Sequence, residues 1–230
     1  MQAMTVKRLK GADRRALILQ AAIKVFAEHG PSAPTQLVAA AAKVSDALIF
    51  AHFSSKRGLY KAVLRTLIEE QDASFKAIGL ATPDTEGLVA MLTAYFQTCL
   101  LGSSAPNAQG IRILFTSLAG DGDHARLTYK RAIRLSLKTL KTALERARER
   151  GDLQGQSIAP ENLIAFLEHI GSMLVLSRGP DKPIIAYAGE DADLLRQLVW
   201  FAGRGLGLTE AALERCYAPT PQAEKAAKSA

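Results

Sequence analysis

Residues 44–56, VSDALIFAHFSSK, constrain this chain more than any other stretch. Ser45 stands at the head of a helix-forming run, where a serine oxygen can accept one of the unpaired backbone N–H groups of the first turn. Ile49 and Phe53 follow four residues apart, on one face of that helix. Two helical segments, 12–29 and 35–42, precede it. Their spacing, closed by a tight connection at Lys43-Val44, is that of a helix-turn-helix whose second helix has the size to lie in a DNA major groove.

The surrounding punctuation supports this reading. In the first segment Ile18, Ala22, Val25 and Phe26 share a face, and Gly30-Pro31 ends it. Val38, Ala39 and Ala42 point inward from the second. Ser54 or Ser55 caps a fourth helix from about Lys56 to Ala77. Beyond Pro83 the pattern stays helical over 84–101, 108–119, 123–150, 160–178, 190–206 and 209–216, with breaks at Gly102–Pro106, Gly120–Gly122, Gly151–Pro160 and Gly179–Gly189. No sustained strand alternation occurs, so the fold class is all-α. The end of the chain, from Ala218, has the composition of a disordered tail.

Charge divides the chain. Residues 1–61 hold ten basic side chains (Lys7, Arg8, Lys10, Arg14, Arg15, Lys24, Lys43, Lys56, Arg57 and Lys61) against Asp13, Glu28 and Asp46. The remainder is balanced, so the whole formal charge of +7 sits in the N-terminal quarter. A polyanion is the partner such a quarter fits. Apolar residues make up 48% of the chain, enough for a packed core. Yet no apolar run approaches the roughly 18 residues of a membrane span, and no partner membrane is expected. Cys99 and Cys216 lie far apart and read as free thiols of a reducing cytoplasm.

With Ile49 at the centre of the buried face, Ala47, Leu48 and Ala51 should point away from the core, with Asp46, Phe50 and His52 on the flanks. That surface has no Arg, Asn or Gln for bidentate base contacts, so methyl packing and DNA shape would carry sequence preference. Lys56, Thr35 and Gln36 are placed to meet phosphates, and Lys7, Arg8, Lys10, Arg14 and Arg15 would form an arm along the backbone or minor groove.

The runs ILQAAIKVFAEHG (18–30), VAAAAKVS (38–45) and LIFAHFSSKRGLYKAV (48–63) resemble the N-terminal domain of TetR/AcrR-type transcriptional regulators. The resemblance implies a three-helix helix-turn-helix DNA-binding domain (1–55), a C-terminal helical ligand-binding and dimerisation domain (56–217) and a tail (218–230). It implies a homodimer that binds a near-palindromic operator in double-stranded DNA and, for most members, represses until a small effector releases it. DNA contacts then fall on Thr35, Gln36, Ser45, Asp46, Ala47, Leu48, Phe50, His52 and Lys56. The chain departs from the family pattern at Lys43 (usually Gly), Phe50 (usually Tyr), Ala47 (often Gly) and Asp46, and its Gly30–Val38 connection is one residue short.

Residues 160–178 and 190–206 carry broad apolar surfaces, and Gly171, Ser172, Ala202 and Gly203 would let them approach a second copy in a four-helix interface. Tyr95, Phe96, Cys99, Phe115, Leu118, Tyr129, Ile133, His169 and Met173 are the candidates to line a pocket for a mainly apolar effector. No phosphate loop, G-x-S-x-G, H-E-x-x-H or zinc-spaced cysteine pair is present, and His29, His52, His124 and His169 are scattered. No enzyme, metal or cofactor is therefore expected. The rival readings are a non-specific architectural DNA-binding protein and a sensor or dimerisation protein with weakened DNA binding.

Overall fold

A computed structural model of the chain describes residues 11–101, 105–156, 158–178 and 183–218. Lys7, Arg8 and Lys10 of the expected arm, and the tail from residue 219, lie outside the described residues. Ten helices are described: α1 (Gly11–His29), α2 (Thr35–Ala42), α3 (Asp46–His52), α4 (Lys56–Ile78), α5 (Thr85–Leu101), α6 (Ala105–Ala119), α7 (Asp123–Glu149), α8 (Pro160–Arg178), α9 (Asp191–Leu206) and α10 (Glu210–Cys216). The pairing of Leu153 with Leu208 is an isolated antiparallel bridge, so the fold is all-α.

Side-chain caps set several of these boundaries. The hydroxyls of Ser45, Ser55 and Thr209 accept the backbone N–H groups of Leu48, Gly58 and Ala212 at 3.2, 3.0 and 3.2 Å. Each satisfies a donor that a helix start leaves unpaired. The second helix ends differently: Lys43 takes a left-handed conformation (φ 53, ψ 47), and its N–H turns back to the carbonyls of Ala39 and Ala40.

Two apolar cores result. The head core gathers Ile18, Ala22, Phe26, Val38, Ile49 and Phe53 from α1–α3. It also takes Leu59, Val63 and Leu67 from α4 and Ile113 from α6. The body core is built around α5, which packs on α7, α8, α9 and α10 and buries Leu88, Leu92 and Phe96. Helices α1 and α6 pack together, as do α4 and α7, so the head is braced by two body helices. Arg131 of α7 forms an ion pair with Asp72 of α4 across the second of these contacts.

A buried carboxylate ties the far end of the body together. Asp152, 8% exposed, accepts from Thr85 Oγ1 at 2.7 Å and from Arg215 Nη2 at 2.8 Å on each oxygen. Burial acts to raise its carboxyl, but these hydrogen bonds and the Arg215 charge outweigh burial and hold it below the ordinary value.

The small residues expected at a dimer interface are used inside the chain. Gly171 faces Tyr95 and Cys99, and a β-carbon there would collide with the Tyr95 hydroxyl. Gly203 lies against Leu213, and Ser172 and Ala202 are buried. Close helix approach within one subunit is their role in this structure, and the outward faces of α8 and α9 are formed by other residues.

Candidate nucleic-acid interface and effector cavity

The exposed face of the head is set by α3. Ile49 and Phe53 are buried at 0% and 4%, which fixes the helix rotation. Ala47, Phe50 and Ala51 then face solvent, while Asp46, Leu48 and His52 are half-buried. Phe50, 43% exposed, is the large side chain on this face. The expected order of Leu48 outward and Phe50 on the flank is thus reversed. At the start of α2, Gln36 is exposed and donates from Nε2 to Asp46 Oδ2 at 3.4 Å, whereas Thr35 is 6% exposed and turned inward. Lys56 donates to the carbonyl of Ser32 at 2.5 Å, tying the loop after α1 to the start of α4. Arg14 is half-buried, and the Arg15 guanidinium stacks over the Phe53 ring at 4.8 Å. Lys43, Arg57 and Lys61 are exposed.

A cavity of about 400 Å³, partly open to solvent, lies between α4, α5, α6, α7 and α8. Its walls are mainly apolar, with Leu67, Met91, Leu114, Leu140, Ile164 and Val175 among them. A few polar groups interrupt them. Tyr95 donates its hydroxyl to the Leu167 carbonyl at 2.9 Å. Burial, and then the Glu168 charge, hold that phenol well above its ordinary range. The same two causes push the Cys99 thiol up to about 12, so it is inert as a nucleophile near neutrality. Burial pushes Glu168 itself up to about 7. His124 is held below its ordinary value by burial, against the opposing charge of Asp121, and is neutral at pH 7. His124 Nδ1 and Thr128 Oγ1 are buried with no hydrogen-bond partner, one turn apart on α7. Among the described residues no group of His, Cys, Asp and Glu is arranged to hold a metal ion, and no helix is long and apolar enough to cross a membrane.

Residues 18–63 match the family model for bacterial regulatory proteins of the tetR family. They are a TetR-family domain. Over most of its length the chain also has the fold of solved TetR-type structures. A TetR-like transcriptional regulator from Rhodococcus sp. RHA1 superposes with a TM-score of 0.61 at 17% identity, over 86% of this chain and 98% of that one. The ketosteroid transcriptional regulator KstR2 of Mycobacterium tuberculosis gives 0.58 at 17% identity, over 88% and 98%. AibR, solved in complex with isovaleryl coenzyme A and operator DNA, gives 0.61 at 18% identity, over 82% and 97%. No curated protein matches the sequence.

In this TetR-type head, Gln36, Ser45, Ala47 and Phe50 are exposed, and Asp46, Leu48, His52, Lys56 and Arg14 are partly so. Thr35 is the member of the expected contact set that the fold buries. Of the nine expected cavity residues, Tyr95 and Cys99 line it. Phe96 is fully buried on the opposite stripe of α5 with Leu88 and Leu92. Ile133 packs against the body core, and Phe115 is half-buried off the lining. Half-buried Tyr129 meets the ring of exposed His169 at 5.5 Å. Leu118 and Met173 are each 47% exposed. Sequence reasoning missed Glu168, Thr128 and the lining role of His124. The available signal was register: Leu167, Glu168, Gly171, Ser172 and Val175 form one helical stripe on α8, which His169 and Met173 do not share.

Proposed function

We propose that this chain is a homodimeric, sequence-specific DNA-binding transcriptional regulator, and that it is a repressor released from a near-palindromic operator by a small, mainly apolar effector. One observation carries the coupling of the two activities. Leu67 belongs to the head core and also lines the cavity, while α6 places Ile113 in the head core and Ile111 and Leu114 on the cavity wall. A ligand that fits one setting of α4 and α6 better than another therefore acts on the head directly. Such a ligand shifts the operator equilibrium by its differential affinity for the two settings.

DNA is the partner because the formal charge of +7 resides in the sequence of residues 1–61, the stretch that also forms α1–α3. Gln36, Ser45, Asp46, Ala47, Leu48, Phe50, His52 and Lys56 form the contact surface, with Arg14 and its neighbours on the backbone. Ala47, Phe50 and Ala51 offer apolar surface to thymine methyls, and phosphate contacts supply most of the affinity. Among the structural neighbours, AibR was solved with both operator DNA and an acyl thioester, and KstR2 is a ketosteroid regulator. Both support an effector-responsive reading of the cavity here.

The test is a titration of the full chain against DNA flanking its own coding region, with scrambled competitor at two salt concentrations. The expected result is tight binding at one near-palindromic site that resists competitor. Displacement by any sequence, with binding governed by salt alone, would establish an architectural protein instead. No binding even at low salt would point to an effector already bound or to a recognition helix that no longer reads DNA.

A further inference from the structure

Two acids line the cavity, Glu70 of α4 and Glu168 of α8, against one lysine, Lys76, at its exposed rim. Glu168 lies on the inner stripe of α8, and the groups whose charge bears on it or that it bears on are Tyr95 and Cys99 of α5 and Tyr129 of α7. All three are neutral or anionic in every protonation state. No ion pair to Glu168 forms among the described side chains. His124 is neutral, and Lys76, the one lysine on the lining, is exposed on α4 near Asp72. An ionised carboxylate in such a place is costly until a cation joins it. A second observation marks the cavity as a ligand site. Thr128 Oγ1 and His124 Nδ1 belong to side chains buried to 7% exposure, line the same space and have no partner. Buried polar atoms left unpaired call for a hydrogen-bonding group that arrives with a ligand.

We propose that the effector is a lipophilic molecule bearing a protonated amine, whose ammonium pairs with the Glu168 carboxylate while its apolar body lies on the surrounding leucine and isoleucine side chains. This rests on the reading of the cavity as the effector site and adds the charge class. Amine binding holds Glu168 ionised, and the proton it shares near neutrality in the empty site is released to solvent. An anionic ligand meets the opposite situation: it must either bury two like charges together or take up a proton.

The test uses decylamine, decanol and decanoate, each below its micellar concentration, on the full chain at about pH 8, with affinity read by calorimetry. Decylamine should bind at least about tenfold more tightly than decanoate. Glu168→Gln should bring decylamine down to the affinity of decanol while leaving decanol unchanged, the latter serving as the check that the variant folds. The comparison within the native chain stands even if the variant fails to fold. Decanoate binding as tightly as decylamine, or a decylamine affinity unmoved by Glu168→Gln while decanol still binds, overturns the charge assignment and leaves the cavity as an apolar effector site. Failure of all three probes to bind overturns the cavity reading and this inference together.

Discussion

Lys43 holds a conformation that costs an L-amino acid roughly 1–2 kcal/mol, and it is the one non-glycine residue at positive φ among the described residues. The hydrogen bonds that close α2 fix it there. Lys43→Gly should therefore raise stability by about 1 kcal/mol, after allowing for the larger chain entropy glycine loses on folding. Denaturant unfolding of the two proteins checks this. The same substitution removes an exposed charge near α3, so a loss of DNA affinity alongside a gain in stability would separate the two roles of the lysine. Glu168 carries a second residue-scale prediction. Its folded value of about 7 lies above the ordinary 4.5, so the folded chain binds more protons between those values, and stability falls as pH rises through that window. The penalty, fully developed above pH 7 and absent below about 4.5, is roughly 3 kcal/mol. Glu168→Gln should flatten this dependence and melt higher than the native chain at pH 8. Thermal melts from pH 4 to 8 measure it, and equal slopes for both proteins would contradict it.

At the scale of elements, the brace between head and body is the feature with mechanical consequence. Ile113 comes from α6 yet is 1% exposed within the head core. Ile113→Ala should cost about 3 kcal/mol and lower hydrogen-exchange protection in α1 as well as α6. Protection lost from α6 alone would show that head and body are not braced there. Helix positions were legible in the sequence because their causes are local: Gly30-Pro31 ends α1, and Ser45, Ser55 and Thr209 cap α3, α4 and α10. The inward faces of α1–α3 were legible for the same reason, since Ile18, Ile49 and Phe53 each repeat at helical spacing. What failed was rotation and vacancy. Around the seven-residue α3, the half-buried flank is decided by how it crosses its neighbours, which places Leu48 on that flank and Phe50 outward. A cavity is space that side chains do not fill, and no sequence period encodes it. Aromatic character therefore does not mark its lining: Phe96 is core, and Tyr129 is rotated off the wall by about 100° from Thr128. The glycines of α8 and α9 misled for a related reason: close approach was needed within the subunit, by Tyr95 and Leu213.

At the scale of the whole molecule, the outward surfaces left on α8 and α9 remain apolar. Phe166 and Met173 on α8 are 50% and 47% exposed, and Phe201 on α9 is 68% exposed. Large apolar side chains gathered on two helices are the surface a second copy would cover. The double substitution Phe166→Glu and Phe201→Glu should give a folded monomer, with operator affinity reduced at least about a hundredfold because one half-site no longer supports the other. Light scattering coupled to gel filtration, with helicity as the control, decides this. A dimer of unchanged mass would place the interface elsewhere. A two-fold dimer also makes a geometric demand on DNA: two α3 helices must meet half-sites about 34–36 Å apart or at a longer spacing. The most direct measurement is therefore selection of bound sequences from a random duplex pool by the full chain. The account predicts enrichment of a single near-palindromic motif whose half-sites share one spacing. Recovery of a pool with no enriched sequence, or of a motif without two-fold symmetry, would contradict it.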